Sequence, residues 1–155
     1  MKKLLCAVAV ALAGQAFGAE WRPSEALMSA VRQVESDNGR ILYGDSGKSL
    51  GAFQMSEPAW LDVSTWRQSH GLKVYSFENH ALHNYINRVY AADYLSLIHS
   101  ELTRKLRRAP TAGEMYAAYN MGLGNFAGCG YRMANVNPVT ARKARQIHAI
   151  LAGAG

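Results

Sequence analysis

The chain has 155 residues, 49% of them hydrophobic and 18% charged, with a formal net charge of +6. That length fits one domain able to bury a core without disulfide or metal staples, and no repeats or low-complexity segments suggest a solenoid or a linker-rich chain. Its most apolar run, Leu4 to Leu12, is far shorter than the ~20 residues a membrane-spanning helix needs.

That run follows Lys2 and Lys3 and precedes Ala16-Phe17-Gly18, which carries small residues at the two positions a signal peptidase reads. Residues 1–18 are therefore expected to be a secretory signal peptide, with the mature chain starting at Ala19 and exported to the periplasm or beyond. Cys6 lies too early and lacks the preceding small residue that lipid attachment requires. Processing removes it and leaves Cys129 without an intrachain partner. Loss of Lys2 and Lys3 lowers the charge from +6 to +4.

Residues 19–155 read as one mainly α domain of the α+β kind, a compact set of helices around a groove. Ser24 is an N-cap with Glu25 in the first turn, and Leu27, Val31 and Val34 recur at helical spacing until Asn38-Gly39. Glu35 falls on the flank of that apolar stripe, near Met28. Gly39 to Gly51 lacks a helical period and reads as a loop with room for one short hairpin. Ser56 and Pro58 open a helix through Trp60, Leu61 and Trp66 that closes at Gly71. A long helix is expected from about Asn79, burying Leu82, Ile86, Val89, Tyr90, Leu97, Ile98 and Leu102. Thr111 and Glu114 form a capping box for a helix through Met115 and Tyr119 that stops at Gly122. Asn137-Pro138 starts the last helix, with Val139, Ile147, Ile150 and Leu151 on one face and Gly153 at its end.

Two basic groups stand out: Arg104, Lys105, Arg107 and Arg108, and then Arg142, Lys143 and Arg145. Such runs are either solvated helix faces or an electrostatic guide toward an acidic polymer, whether nucleic acid, lipopolysaccharide or a carboxylate-bearing wall. Charge alone does not choose between these.

Three short segments carry the chemistry: Glu35-Ser36 at a helix end, Gly51-Ala52-Phe53-Gln54-Met55, and Ala118-Tyr119-Asn120-Met121-Gly122. In this order they resemble the Glu-Ser, Gly-x-x-Gln and Ala-Tyr-Asn-x-Gly motifs of the soluble lytic transglycosylase domain, a branch of the lysozyme-like superfamily. The resemblance runs from about Ser24 to Phe126 and extends to Tyr94-Leu95. The chain departs from the pattern in placing Pro58 late and in the stretch from Leu61 to Phe77. Each motif is weak alone; the ordered triple behind a signal peptide is specific.

The resemblance implies cleavage of the bond between N-acetylmuramic acid and N-acetylglucosamine in peptidoglycan, with Glu35 as the catalytic residue. It also implies that Gln54 reaches the substrate acetamide, that Tyr119 orients the acid or the sugar, and that Asn120 fixes the groove backbone. Taken on their residue types, Tyr119 could equally be core, Asn120 a helix-end residue and Gln54 a surface amide. Ser46 and Ser49 are candidate sugar contacts, although loop serines often serve as turn formers. The expected partner is the glycan strand, with no nucleic acid, no stable membrane anchor, no cofactor, and a monomeric state.

Glycoside cleavage needs an acid that is protonated near neutral pH. Partial burial and a helix C-terminus both disfavour the charged form of Glu35, so the sequence predicts a raised pKa; in lysozyme such tuning reaches about 6. Hydrolysis also needs a second carboxylate, and Asp37, Asp45 and Glu57 are the nearby ones. Asp37 would point elsewhere on a continuing helix, while Asp45 lies in the loop with no neighbour that would fix it. In the family resembled, one glutamate does both jobs, as acid to the leaving oxygen and then as base to the 6-hydroxyl of N-acetylmuramic acid, with help from the substrate's acetamide. An anhydro sugar results. A lysozyme-type hydrolase and a non-catalytic wall-binding module remain the alternatives. His80 and His83 are spaced so that they could share a helix face but have no further ligands at metal spacing, so no metal is expected. Cys129 in its glycine-rich segment reads as inert.

Overall fold

The computed structural model describes residues 21–153. The expected signal peptide and its cleavage site at Ala19 lie outside them. Seven α-helices and a small three-stranded antiparallel sheet make up the described chain.

Helix α1 spans Glu25–Ser36, and the Ser24 hydroxyl caps it by accepting from the Leu27 amide at 3.2 Å. Leu27, Met28, Ala30 and Val31 are its buried side. It ends where Asp37, Asn38 and Gly39 successively take positive φ angles, which continued helix does not allow. Ser36, fully buried, ties this end to the next segment: its hydroxyl donates to the Ala52 carbonyl at 2.6 Å and accepts from the Gly39 amide at 2.8 Å.

The loop contains the expected hairpin, β1 (Tyr43–Gly44) with β2 (Ser49–Leu50), and adds β3 (Met55–Ser56) beyond β2. Tyr43 pairs with Leu50, and Leu50 with Met55. The turn from Gly51 to Gln54 is fixed from outside. Asn87 accepts from the Phe53 amide at 2.9 Å and donates to the Leu50 carbonyl at 3.1 Å. Gly51 has φ +80, and a Cβ there would come within 2.3 Å of the Ala81 carbonyl oxygen, so the position requires glycine.

Helix α2 covers Glu57–Ser69 with proline in its first turn. Trp60 stacks on Tyr90 with centroids 3.8 Å apart and donates to the Tyr75 carbonyl at 2.7 Å. The long helix expected from Asn79 is instead split into α3 (Phe77–His80) and α4 (Asn84–Leu106). The chain turns at Ala81, 1% exposed against the Gly51 turn, and restarts from His83 in an extended conformation. Leu82 is thereby left 43% exposed rather than buried. Beyond the break, Ile86, Tyr90, Leu95, Ile98 and Leu102 form the central wall of the core.

Helix α5 (Ala112–Met121) starts at the Thr111–Glu114 capping box and buries every residue from Glu114 to Tyr119. A helix buried all round lies at the centre of its domain. Helix α6 (Leu123–Gly128), not anticipated because it is short and contains glycine, is anchored by fully buried Phe126. Helix α7 (Pro138–Gly153) packs against α5 and α1 through Thr140, Ala144 and Ile147. Those three residues define its buried stripe; Val139 is 56% exposed, so the expected face is rotated away from it. Burial of aliphatic and aromatic groups on this scale supplies the main drive to fold.

Candidate functional site

Glu35 occupies the last turn of α1, where α5 and α7 come together, and its side chain is only 6% exposed. Burying a carboxylate this far requires partners, and the fold supplies them. From α5, the Tyr116 hydroxyl and the Asn120 amide, the latter at 3.2 Å, both donate to Oε1. From α7, the Lys143 ammonium reaches Oε2 at 3.2 Å. Tyr116 and Asn120 lie four residues apart, hence on one face of α5. Thr140, one turn before Lys143, donates to Asn120 Oδ1 at 2.6 Å and so fixes which end of the Asn120 amide meets the acid. The Asn137 side chain in turn accepts from the Thr140 amide at 2.9 Å, capping α7.

Burial, and next the charge of Glu35, push the Tyr116 phenol far above its ordinary value. Burial does the same for Tyr119, with Glu35 and Tyr94 adding to it. Both hydroxyls are therefore neutral donors at any working pH. Glu35 itself meets three donors, one of them cationic.

The acid opens into a cavity of about 430 Å³ whose lining includes Asp45, Ser49, Gln54, Tyr94, Tyr119 and Asn120. Ile41 and Val139, 55% and 56% exposed, give it apolar patches. Glu35, Gln54, Tyr119 and Asn120 thus meet at one place, each held by contacts within the protein. Tyr119 is buried and donates to the Phe53 carbonyl at 2.6 Å, which makes it a brace for the Gly51–Gln54 turn; the hydroxyl on the acid belongs to Tyr116. Asn120 touches the acid. Gln54 has φ +48, and its amide donates to the carbonyls of Ile41 at 3.0 Å and Gly51 at 2.8 Å, with Oε1 packed over Gly44. A Cβ at residue 44 would meet that oxygen at 2.0 Å, so Gly44 lets Gln54 bridge the hairpin.

Ser49 is buried and donates to Asp45 Oδ2 at 3.0 Å. This corrects the expectation that nothing fixes Asp45. Asp45 and Ser46 both take positive φ in the tight turn of the hairpin, and Asp45 faces the same cavity as Glu35. Asp37 is exposed and paired with Arg40 at 3.2 Å, and neither it nor Glu57 lines the cavity. Ser46 is absent from the lining as well.

Arg104 and Lys105 are helix charges that face Glu101, and Arg108, past the end of α4, grips Glu114. Lys143 differs. It turns inward onto Glu35, a role hidden within a run of helix cations. His80 bonds within its own turn to Ser76, and no group of three or more His, Cys, Asp or Glu is placed to hold a metal among the described residues. The Cys129 thiol contacts the Asn135 carbonyl at 3.4 Å. No helix among the described residues is long and apolar enough to cross a membrane. Comparison of the chain with protein-family models, with curated proteins and with solved structures finds no match.

Proposed function

We propose that the protein is an exported cell-wall glycosidase of the lysozyme-like class, a lytic transglycosylase that cleaves between N-acetylmuramic acid and N-acetylglucosamine. The observation that carries this reading is Glu35 itself: a carboxyl side chain 6% exposed, held by Tyr116, Asn120 and Lys143 on the wall of an open polar cavity. A buried acid with so many fixed donors is uncommon for a surface glutamate. The order of the three motifs supports the same reading, since the structure gathers them around one cavity.

In the proposed reaction, protonated Glu35 gives its proton to the bridging oxygen as the bond to the anomeric carbon breaks. The bonding electrons leave with N-acetylglucosamine, and an oxocarbenium-like centre develops on N-acetylmuramic acid. The Glu35 carboxylate then takes the proton of that sugar's 6-hydroxyl, whose oxygen closes on the anomeric carbon. Glu35 ends protonated, ready for another cycle, and no water is consumed. Tyr116 and Asn120 hold Oε1 in one orientation throughout, which spares the reaction the cost of ordering the acid.

A second reading is favoured by the Ser49–Asp45 contact. A carboxylate fixed in the same cavity could activate water or shield the developing cation, as in a lysozyme-type hydrolase. Mass spectrometry of the soluble fragments from digested peptidoglycan separates the two: a transglycosylase releases 1,6-anhydro ends, a hydrolase reducing ends heavier by one water. No release of fragments from walls of several compositions would leave only a non-catalytic wall-binding module.

A further inference from the structure

We propose that Lys143 is the receptor for a carboxylate on the glycan, and that its transfer from Glu35 to that carboxylate readies the acid for catalysis. This deepens the glycosidase reading and rests on it for the catalytic half. Lys143 is a quarter exposed, lines the cavity, and spends its charge in the free protein on Glu35 Oε2 at 3.2 Å. The ammonium stands on Oε2, the oxygen that Tyr116 and Asn120 leave open, and the proposed reaction needs that oxygen free to meet the glycosidic oxygen. The pair must therefore part when substrate is bound.

Few groups in the cavity could do this. The groups that face Glu35 or share its cavity are Tyr116 and Tyr119 from α5, Tyr94 from α4, Asp45 from the hairpin and Lys143 from α7. Burial keeps the three tyrosines neutral, Tyr94 being pushed up to about 12. Asp45 is engaged by Ser49. Lys143 is thus the sole cation lining the cavity among the described residues. An anionic substituent entering there meets one positive group, and its arrival offers the ammonium a second carboxylate. With Lys143 drawn toward the ligand, Oε2 of Glu35 is cleared for the glycosidic oxygen while Tyr116 and Asn120 stay on Oε1. N-acetylmuramic acid supplies such a group in two ways, as a free lactyl carboxylate on peptide-free strands or as a carboxylate of the attached stem peptide. A neutral N-acetylglucosamine polymer supplies none.

Binding and turnover test the two halves separately. Binding is measured with the Glu35→Gln protein, which leaves strands intact, on three probes: peptide-free glycan strands with free lactyl carboxylates, the same strands amidated with methylamine, and strands bearing stem peptides. The charged strands should bind about tenfold more tightly than the amidated ones, as expected for one charge-assisted contact. Adding Lys143→Met should abolish that preference, and Lys143→Arg should keep it. Whether peptide-free or peptide-bearing strands lose more on Lys143→Met identifies which carboxylate is read. For turnover, Lys143→Met in the otherwise native protein should cost the rate on charged strands about tenfold more than the rate on amidated strands, because only a charged strand draws the ammonium off Oε2. A preference for charged strands that survives Lys143→Met overturns the receptor. Equal losses on charged and amidated strands overturn the exchange and leave Lys143 a structural partner. If the native protein cleaves no strand yet the binding preference depends on Lys143, the glycosidase reading fails while the carboxylate receptor stands.

Discussion

Tyr116, with no solvent exposure, donates its hydroxyl proton to Oε1 of Glu35, a residue 81 positions earlier in the chain. The phenol sits in the middle of α5, the helix buried on all sides, so its position is set by the core and not by the cavity. The core thereby aims the acid.

Replacing that hydroxyl tests whether orientation matters. Tyr116→Phe keeps the ring and its packing but removes a hydrogen bond to a charged group, an interaction of about 1.5–3 kcal/mol. Turnover should fall by about tenfold to a hundredfold while KM changes little, because the acid remains but is no longer held in one rotamer. Steady-state kinetics on soluble glycan strands gives both numbers, and a Tyr116→Phe protein with native turnover would show that the acid is oriented without Tyr116.

Glu35→Gln removes the transferable proton while keeping size and shape. Loss of general acid catalysis is expected to lower the rate by at least about 10²–10⁴. The fold should persist, since Tyr116 and Asn120 can bond an amide oxygen and Lys143 has a path to water. Circular dichroism checks the fold alongside fragment release. Near-native release by a folded Glu35→Gln protein would remove Glu35 from the mechanism.

What could be read in the sequence follows the range of the interactions. The Ser24 cap, the Thr111–Glu114 capping box and the Asn137-Pro138 helix start act within a few residues, and each appears in the structure where its pattern lies. The break between α3 and α4 was not legible, because Ala81 leaves the helix to pack on Gly51, a contact with a turn distant in the sequence. The candidate site divides the same way. Glu35, Gln54, Tyr119 and Asn120 were visible as motifs, yet Lys143 lies 108 positions from the acid inside a run of helix cations and carries no local mark. Tyr116 did carry one: its four-residue spacing to Asn120 places both on one helix face.

Asp93 on α4 is the buried ionic anchor away from the cavity. Its carboxylate, 6% exposed, bonds Arg67 of α2 and Arg22 of the segment before α1, the latter at 2.6 Å. Arg67 also donates to the Lys73 carbonyl at 2.7 Å and lies over the Tyr90 ring, so its guanidinium cannot move to water without disturbing the core. Asp93→Ala strands that buried cation, which costs about 3–5 kcal/mol. Urea denaturation should show a loss of that order. A loss under 1 kcal/mol would mean that Arg67 finds solvent.

The capping box gives the protein an acid-sensitive joint. Arg108 holds the Glu114 carboxyl below the usual carboxylate range, against the opposing effect of burial and with help from Thr111. A carboxyl with a lowered folded value contributes stability above the unfolded value, here the ordinary 4.5, and loses it as pH falls through the folded value. Glu114→Gln should therefore lower the thermal midpoint at pH 7, and the gap to the native protein should close below pH 4.5. A gap that is constant from pH 7 to pH 3 would assign the loss to the cap geometry alone.

The reaction class depends on Asp45. Ser49 fixes its Oδ2 at 3.0 Å within the cavity that Glu35 faces, so a second carboxylate is available in a defined position. A defined position is not yet a catalytic one, because a nucleophile or base must meet the anomeric carbon or its attacking water, on the side away from the acid. Asp45 spends one oxygen on Ser49 and sits in a tight turn whose positive φ angles leave it little room to advance. Glu35, by contrast, is oriented by Tyr116 and Asn120, as both steps of the proposed reaction require. Asp45→Asn is therefore expected to keep the Ser49 contact, lower turnover no more than a few-fold, and leave 1,6-anhydro ends as the product. The masses of the released fragments and their initial rate of release are the two measurements. Reducing ends from the native protein, together with a rate loss of about a hundredfold or more in Asp45→Asn, would instead make Asp45 the second catalytic carboxylate of a hydrolase, since removing a catalytic base or nucleophile costs on that scale. Anhydro ends from both proteins, at similar rates, identify Glu35 as the only carboxylate the reaction needs.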